Sequence, residues 1–515
     1  MHLRLIARWS LIFLALIAAA LACQRPSADP DAPWSASNAT PPPLVLGSAA
    51  APTSMTYLPV VRDADDPIYT PTPDAPHDLP HLRTQAEEYT VQSGDTLGTI
   101  AQAYGVSLEM LIEANELVNP NYLSVGQVLV VPPPDPGSMG PSFKIVPDSE
   151  LVYGPLSENF DVAGFVQEKG GYLARYHEDV EGETLSGAQI VQRVASEFSV
   201  NPRLLLAVLE YRSGWVTESW PDENFADYPM GVYETWREGL YAQMAWAANY
   251  LNRGYYLWRV DGVSTWILAD GSVRPVNPTI NAGTAGVQQM FALVYGQAEW
   301  EAAVTEAGVF STFYGFFGYP FDLAVEPLVP SVLYQPEMQL PFEPDVDWAF
   351  TGGPHGGWGG GSAWAALDFA PGGEALGCVQ SDAWVVAVAD GLIIRTGNGA
   401  VVQDLDGDGL EHSGWSMLYM HIESRERVQA GVYLQAGERI GHPSCEGGVS
   451  TGTHVHLARR YNGEWIPADQ KSPFVLDGWI SRGTGVEYDG FLVREYDSVE
   501  AWEGFYPQNT IRREP

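Results

Sequence analysis

Ten histidines occur in the chain, and six of them fall between positions 355 and 456. Imidazole is the commonest protein ligand for transition metals, so this concentration points to metal chemistry in the C-terminal part. His454-Val455-His456 sets two imidazoles two residues apart, which on a β-strand aims both at one face. His421 closes the run Ser416-Met417-Leu418-Tyr419-Met420-His421. Upstream, Gly352-Gly353-Pro354-His355 and Leu367-Asp368-Phe369 flank a glycine-rich loop from Gly356 to Gly361. A catalytic zinc takes three N or O ligands and keeps a position for water. Two histidines and one aspartate supply such a set and leave two imidazoles to manage protons. The bland alternative is a sheet carrying incidental histidines.

The elements around these residues read as β. Trp384 to Ala389 runs into Asp390-Gly391, a tight-hairpin signal, with Leu392 to Arg395 following as its partner. Gly399 to Val402, Trp415 to His421 and Thr453 to Ala458 read as further strands. Short strands separated by glycine turns imply an antiparallel sheet.

With those motifs in place, the segment resembles the lysostaphin-type zinc metallopeptidases, which cleave peptidoglycan cross-bridges. Most members place their first His four residues before the Asp, where this chain has Trp364. The staphylolysin and beta-lytic branch places it well upstream, across a glycine-rich loop, and His355 precedes Asp368 by 13 positions as in that branch. The resemblance implies zinc held by His355, Asp368 and His456, with His421 and His454 as the catalytic pair. The hypothesised chemistry is metal-assisted amide hydrolysis.

The rest of the chain organises around this segment. At 515 residues it holds about three or four domains of ~100–200 residues. Lys+Arg total 26 against 64 Asp+Glu, a net charge of −38, which excludes a phosphate-backbone partner and a polybasic grip on anionic lipid. Residues 1–23 have the layout of an export signal: Arg4 and Arg8, an apolar run too short for a ~30 Å hydrocarbon core, then Ala20-Leu21-Ala22-Cys23. That ending resembles the lipobox of bacterial lipoproteins, with Ala20 in the usual Leu position, and implies lipidation of Cys23 and a membrane anchor. A plain secretory signal is the alternative. Either places the mature chain outside the cytoplasm, where Cys378 and Cys445 are expected to pair, rather than stay buried thiols, and close a loop worth roughly 4 kcal/mol at best. Residues 24–86, rich in Pro, Ala, Ser, Thr and Asp, read as an extended tether.

Residues 87–133 give the order β-α-α-β, with Asp95 and Ser107 as N-caps. The string YTVQSGDTLGTIAQAYGVSLEMLIEANELVNPNYLSVGQVLVVP resembles a LysM domain throughout. The resemblance implies binding of N-acetylglucosamine chains of peptidoglycan or chitin, with Gly94, Asp95, Thr96, Tyr122 and Leu123 near the sugar. Turn chemistry and core packing are the competing roles for these residues.

Residues 150–321 carry helical periodicity: an N-cap at Ser186, Asn201-Pro202 opening a Leu-rich helix, and helices from Leu240 and near Ala285. Asn201-Pro202-Arg203-Leu204-Leu205-Leu206-Ala207-Val208-Leu209-Glu210-Tyr211-Arg212-Ser213-Gly214-Trp215 resembles the acid-bearing helix of goose-type lysozymes and lytic transglycosylases. In those enzymes Glu stands directly before Ser-Gly. Here Arg212 does, and Glu210 is ~200° away round the helix. An arginine cannot donate its proton at neutral pH, so a non-catalytic helical spacer is the preferred reading. Trp215, Trp220, Trp236, Trp246 and Trp258 are either sugar platforms or core.

Residues 322–345 read as a linker able to occlude the site, 346–482 as the peptidase, and 483–515 as an extension packing on it. Asp404, Asp406 and Asp408 match the start of an EF-hand-like calcium loop whose twelfth position is Trp415 rather than Glu, so an acidic β-turn competes with calcium there. His412 and His442 read as loop residues. The fold class is multidomain: a βααβ module, a mainly α middle and an antiparallel β peptidase. The leading function is an exported zinc endopeptidase that cuts peptidoglycan cross-links while the LysM module holds glycan. The rival is a non-catalytic peptidoglycan-binding envelope protein or hydrolase activator.

Overall fold

The computed structural model describes residues 77, 79, 83–92, 95–117, 119–120, 122–133, 139–373 and 377–514. The export signal, Cys23, most of the tether and Gly94 lie outside the described residues. Among the described residues no helix is long and apolar enough to cross a membrane.

The small N-terminal module has the expected order. Strand β1 (Glu87–Thr90) pairs antiparallel with β2 (Val128–Val131), and helices α1 (Leu97–Ala103) and α2 (Leu108–Ala114) lie between them in sequence. Leu97, Ile100, Leu111, Leu129 and Val131 make its core. Ser107 caps α2 by accepting from Met110 N at 3.1 Å. Asp95 does not cap α1: its carboxylate accepts from Tyr89 Oη and Gln92 N, both at 2.7 Å. The capping oxygen is Thr96 Oγ1, which accepts from Thr99 N at 3.1 Å.

The middle region is helical where its caps predict. Helix α3 (Gly187–Phe198) opens on a Ser186–Gln189 capping box, and α4 (Pro202–Ser213) opens on Asn201 with proline in its first turn. Helices α5 (Leu240–Arg259) and α6 (Ala282–Ala292) complete the main layer. Trp215, Trp246 and Trp258 are buried in this core, whereas Trp220 and Trp236 are exposed.

The C-terminal half is built on a nine-stranded sheet. Its strands are β3 (Asp347–His355), β4 (Ala366–Pro371), β5 (Gly391–Gly397), β6 (Ala400–Asp404), β7 (Trp415–Met420), β8 (Tyr433–Leu434), β9 (Val455–Tyr461), β10 (Glu464–Trp465) and, near the C-terminus, Thr510–Arg512. The spatial order is β8-β5-β6-β7-β9-β4-β3 and then the Thr510–Arg512 strand, with β10 paired to β9. The hairpin expected at Asp390-Gly391 does not form. Val385–Val386 pairs with Arg439–Gly441 in a separate two-stranded sheet, and β5 pairs with β6 instead. The operative turn is Asn398-Gly399, both at positive φ, as a two-residue hairpin requires. Residues 338–342 are not a free strand over the site. Met338, Leu340 and Phe342 are buried in the sheet's own core, and Phe342 bridges Val385.

The two faces of the sheet have different partners. Leu367, Phe369, Val455, Leu457, Met417 and Tyr419 point to one face and share a core with Leu340 and Trp479. Ala366, Ala458, Leu418 and Val402 point to the other and join the core of the helical region. Side chains alternate along a strand. Asp368, His454 and His456 therefore lie on the helix-facing side. Ion pairs and hydrogen bonds knit this junction: Glu464 with Arg259 at 2.9 Å, His412 Nδ1 with Glu158 at 2.7 Å, and Ser199 Oγ donating to Gly463 O at 2.6 Å.

Candidate metal centre

Register assembles the site from residues far apart in sequence. On adjacent strands β4, β9 and β7, His456 stands directly opposite Asp368 on one side and Met420 on the other. His355 ends β3, whose pairing with β4 shifts between Gly352 and His355. His355 Nε2 and His456 Nδ1 are 2.9 Å apart, and each is 3.2 Å from Asp368 Oδ1. All three ligand atoms lie within 4.8 Å of one another. Asp368 Oδ1 is buried, yet no donor reaches it in hydrogen-bonding geometry. A buried anionic oxygen facing two ring nitrogens, with its lone pairs unmet, is the donor set a tetrahedral zinc satisfies.

The other two imidazoles close the pocket. His454 Nε2 is 3.8 Å from Asp368 Oδ1, and the His421 ring centre is 4.5 Å from that of His454. His421 sits just beyond β7 with φ of +65°, a conformation uncommon for histidine that turns the chain as the strand ends. The Cys378–Cys445 disulfide is present and ties together the two loops that flank His421 and His454.

Each imidazole has one nitrogen anchored by a backbone carbonyl. His355 Nδ1 pairs with Gly353 O at 2.8 Å, His456 Nε2 with Gly357 O at 3.1 Å, His421 Nδ1 with Glu446 O at 3.0 Å, and His454 Nδ1 with Gly452 O at 2.7 Å. With the proton on the anchored nitrogen, the other nitrogen of each ring is a lone-pair donor directed at the site. Sequence reasoning named the four rings but none of the four carbonyls, because a carbonyl carries no residue-type signal. It also missed Tyr488. That ring stacks on His355 at 4.2 Å between centres, from a turn in the C-terminal extension.

Electrostatics follow from burial. Burial alone would raise the Asp368 pKa, but His355 and His454 outweigh it and hold the carboxyl well below its usual range. Burial opposes charge on His355, and Asp368 reverses the balance and raises its pKa. Burial, then the charges of His454 and His456, push His421 down to about 4, so it is neutral at pH 7.

Other candidates are dispersed. Asp404, Asp406 and Asp408 do cluster, but Asp404 already accepts from the N–H groups of Asp406, Gly407 and Gly409. In the N-terminal module Tyr122 is exposed, Thr96 lies at the surface, and Leu123 packs against the core. His412 and His442 lie in loops as expected but are buried, His412 stacked on Tyr153 and His442 against Trp384.

An antiparallel sheet presenting a His-Asp-His donor set beside two further imidazoles defines a metallopeptidase fold and site. Comparisons with known proteins bear on the families the chain is built from. Peptidase family M23 matches residues 373–467, the LysM domain matches residues 89–132, and the LasA N-terminal domain matches residues 144–328. Protease LasA of Pseudomonas aeruginosa is 25% identical over 346 residues, covering 62% of this chain and 74% of that protein. Beta-lytic metalloendopeptidase of Achromobacter lyticus is 29% identical over 167 residues, 31% of this chain and 41% of that protein. The deep-sea M23 metalloprotease pseudoalterin aligns at 24% identity and a TM-score of 0.28, over 35% of this chain and all of that one. The chain thus carries a LysM domain and an M23 metalloendopeptidase domain, and is homologous to LasA and the beta-lytic metalloendopeptidases.

Proposed function

We propose that this protein is an exported zinc metalloendopeptidase that cleaves the peptide cross-links of peptidoglycan, with its LysM domain holding the glycan strands. The observation that carries the reading is the buried, unmet Asp368 Oδ1 between His355 Nε2 and His456 Nδ1. His355, Asp368 and His456 hold the metal. Zinc bound there supplies Lewis acidity toward the scissile carbonyl and toward water. His421 and His454 handle the proton. Their Nδ1 atoms are pinned to backbone carbonyls, so Nε2 of either ring can take a proton from the attacking water and pass it to the leaving amine. The same rings offer N–H donors to the oxyanion once protonated.

In the LysM domain, Asp95, Thr96, Tyr122 and Leu123 border the glycan, with the exposed Tyr122 ring as a stacking surface. Tethering the two activities raises the local substrate concentration without new contacts. Cys23, in its lipobox-like setting, attaches the chain to the membrane. A structural calcium at Asp404, Asp406 and Asp408 is an accessory proposal: burial, then a hydrogen bond with Asp404, pushes the Asp406 carboxyl up to about 8, and a bound cation would favour its charged form.

The test uses the zinc-loaded protein on cross-linked peptidoglycan or oligoglycine, with new amino termini as the readout. Wild type is expected to release them, and both chelation and His456→Ala are expected to stop the release. Release that persists through both would overturn the metal assignment.

A further inference from the structure

The glycine-rich run between His355 and Asp368 is held by the helical region, not only by its own sheet. Asn249, on α5, accepts a hydrogen bond from Gly361 N through Oδ1 at 2.9 Å. The approach is so close that a Cβ on Gly361 would stand 1.8 Å from the Asn249 carbonyl oxygen, and one on Gly359 would stand 2.8 Å from Asn249 Oδ1. Gly359 also has φ of +66°, and Phe198 at the end of α3 meets both Gly359 and the Trp358 ring. The glycines are therefore required by contact with a helix, not by flexibility. Within the loop, Ser362 Oγ accepts from Trp358 N and donates to Gly359 O, and Gly357 N bonds Ala363 O. The loop is thus one folded unit, and Asn249 fastens its far end.

This unit bears directly on two of the metal-site residues. His355 is the residue before it, and Gly357 O is the carbonyl that anchors His456 Nε2. Partners of this second kind fix the tautomer and orientation of a ligating imidazole, and their loss typically costs 10–100-fold in metal affinity or activity.

We infer that Asn249 is a positioning residue for the metal centre: the helical region seats the glycine loop, and the loop sets His355 and His456. The inference rests on the proposed metal site and extends it to a part of the chain with no ligand of its own. It also gives the middle region a role in the peptidase that does not require lysozyme-like chemistry there.

The test compares Asn249→Leu, which removes the acceptor at similar size, with Asn249→Asp, which keeps an acceptor oxygen. Zinc affinity is read by competition with a chromogenic chelator on the full chain, alongside the melting temperature of each apo-protein. We expect Asn249→Leu to bind zinc several-fold more weakly, short of the ~10–100-fold typical when a ligand's own hydrogen-bond partner is lost, and to lose kcat with little change in KM, while Asn249→Asp stays near wild type. Wild-type zinc affinity in Asn249→Leu would overturn the inference. Should Asn249→Leu fail to fold, Asn249→Ala takes its place under the same criteria. The affinity readout is independent of cleavage. A wild-type chain that binds zinc but cuts no peptide would therefore sink the peptidase reading while the Leu-versus-Asp difference still decides the role of Asn249.

Discussion

Two carboxylates in this chain sit within catalytic-looking sequence, and their surroundings could hardly differ more. Glu210, on the helix that resembles a lysozyme's acid-bearing segment, accepts from Val216 N at 3.0 Å, from Thr217 N at 3.1 Å and from the Thr217 hydroxyl. Its neighbour Arg212 donates twice to Met230 O and lies over the Tyr295 ring at 4.4 Å. Both charged groups are spent on holding a loop. Asp368 is buried in company that could bind a metal, and one of its oxygens receives nothing. Saturated hydrogen bonding marks structure. Several other buried polar atoms also lack a partner, and what sets Asp368 Oδ1 apart is that two ring nitrogens, each 3.2 Å away, converge on it.

The sharpest way to break this contrast is to remove each carboxylate in turn. Asp368→Ala is expected to weaken zinc binding more than ~100-fold, beyond what loss of an outer-shell partner costs, and to abolish peptide cleavage. Glu210→Ala is expected to leave both unchanged and to cost about 1–3 kcal/mol of stability through the orphaned N–H groups, read by urea denaturation. If Glu210→Ala silenced cleavage in a folded protein, the contrast would fail.

Glu411 is an intermediate case, buried and charged but fully paired. It bonds Arg395 at 2.8 and 2.7 Å and also pairs with the buried Arg460, whose guanidinium reaches Ser196 O in the helical region. Burial would raise its pKa, but Arg395 and Arg460 dominate and hold it far below the usual 4.5. A depressed carboxyl pKa contributes stability that is fully present above the unfolded value and is lost as pH falls through ~4.5 toward the folded value. Glu411→Gln is expected to cost about 3–5 kcal/mol at pH 7 and to flatten the acid limb of the stability profile, measured by denaturation from pH 7 to 3. An unchanged acid limb would show that the pair contributes nothing.

The smallest effect is expected at the acidic turn. Calcium should raise the melting temperature by ~2–4 °C, equivalent to about 1 kcal/mol, and Asp406→Asn should remove that response. With Asp404 already saturated by three backbone donors, a melting curve indifferent to calcium would class the turn with Glu210 rather than Asp368.

Much of this was legible in the chain. Spacing of two between His454 and His456 fixes their shared face in any strand, and the caps at Ser107, Ser186 and Asn201 are local side-chain-to-backbone bonds readable from residue type. A local signal failed at the first hairpin: Asp390-Gly391 reads as its turn, whereas the structure turns at Asn398-Gly399. Long-range pairing of Val385–Val386 with Arg439–Gly441 settled the matter, and no window of sequence contains that pairing. Asp95 was a reasonable cap until the fold brought Tyr89 Oη within 2.7 Å of it.

By itself, the sequence determined which residue types could bind a metal, that the chain is acidic and rich in apolar material, and that a small βααβ module precedes a helical and then a β part. These follow from side-chain chemistry and from periodicities of two and 3.6, which act over a few residues. The grouping of His355 with Asp368 and His456 came from a family resemblance, and only the tertiary structure decided the path of the glycine loop between them, that four carbonyls anchor the four imidazoles, and that Asn249 of a distant helix holds that loop in place. Those outcomes depend on strand register and on close backbone packing between layers, and both are set by the whole chain's burial rather than by any local pattern.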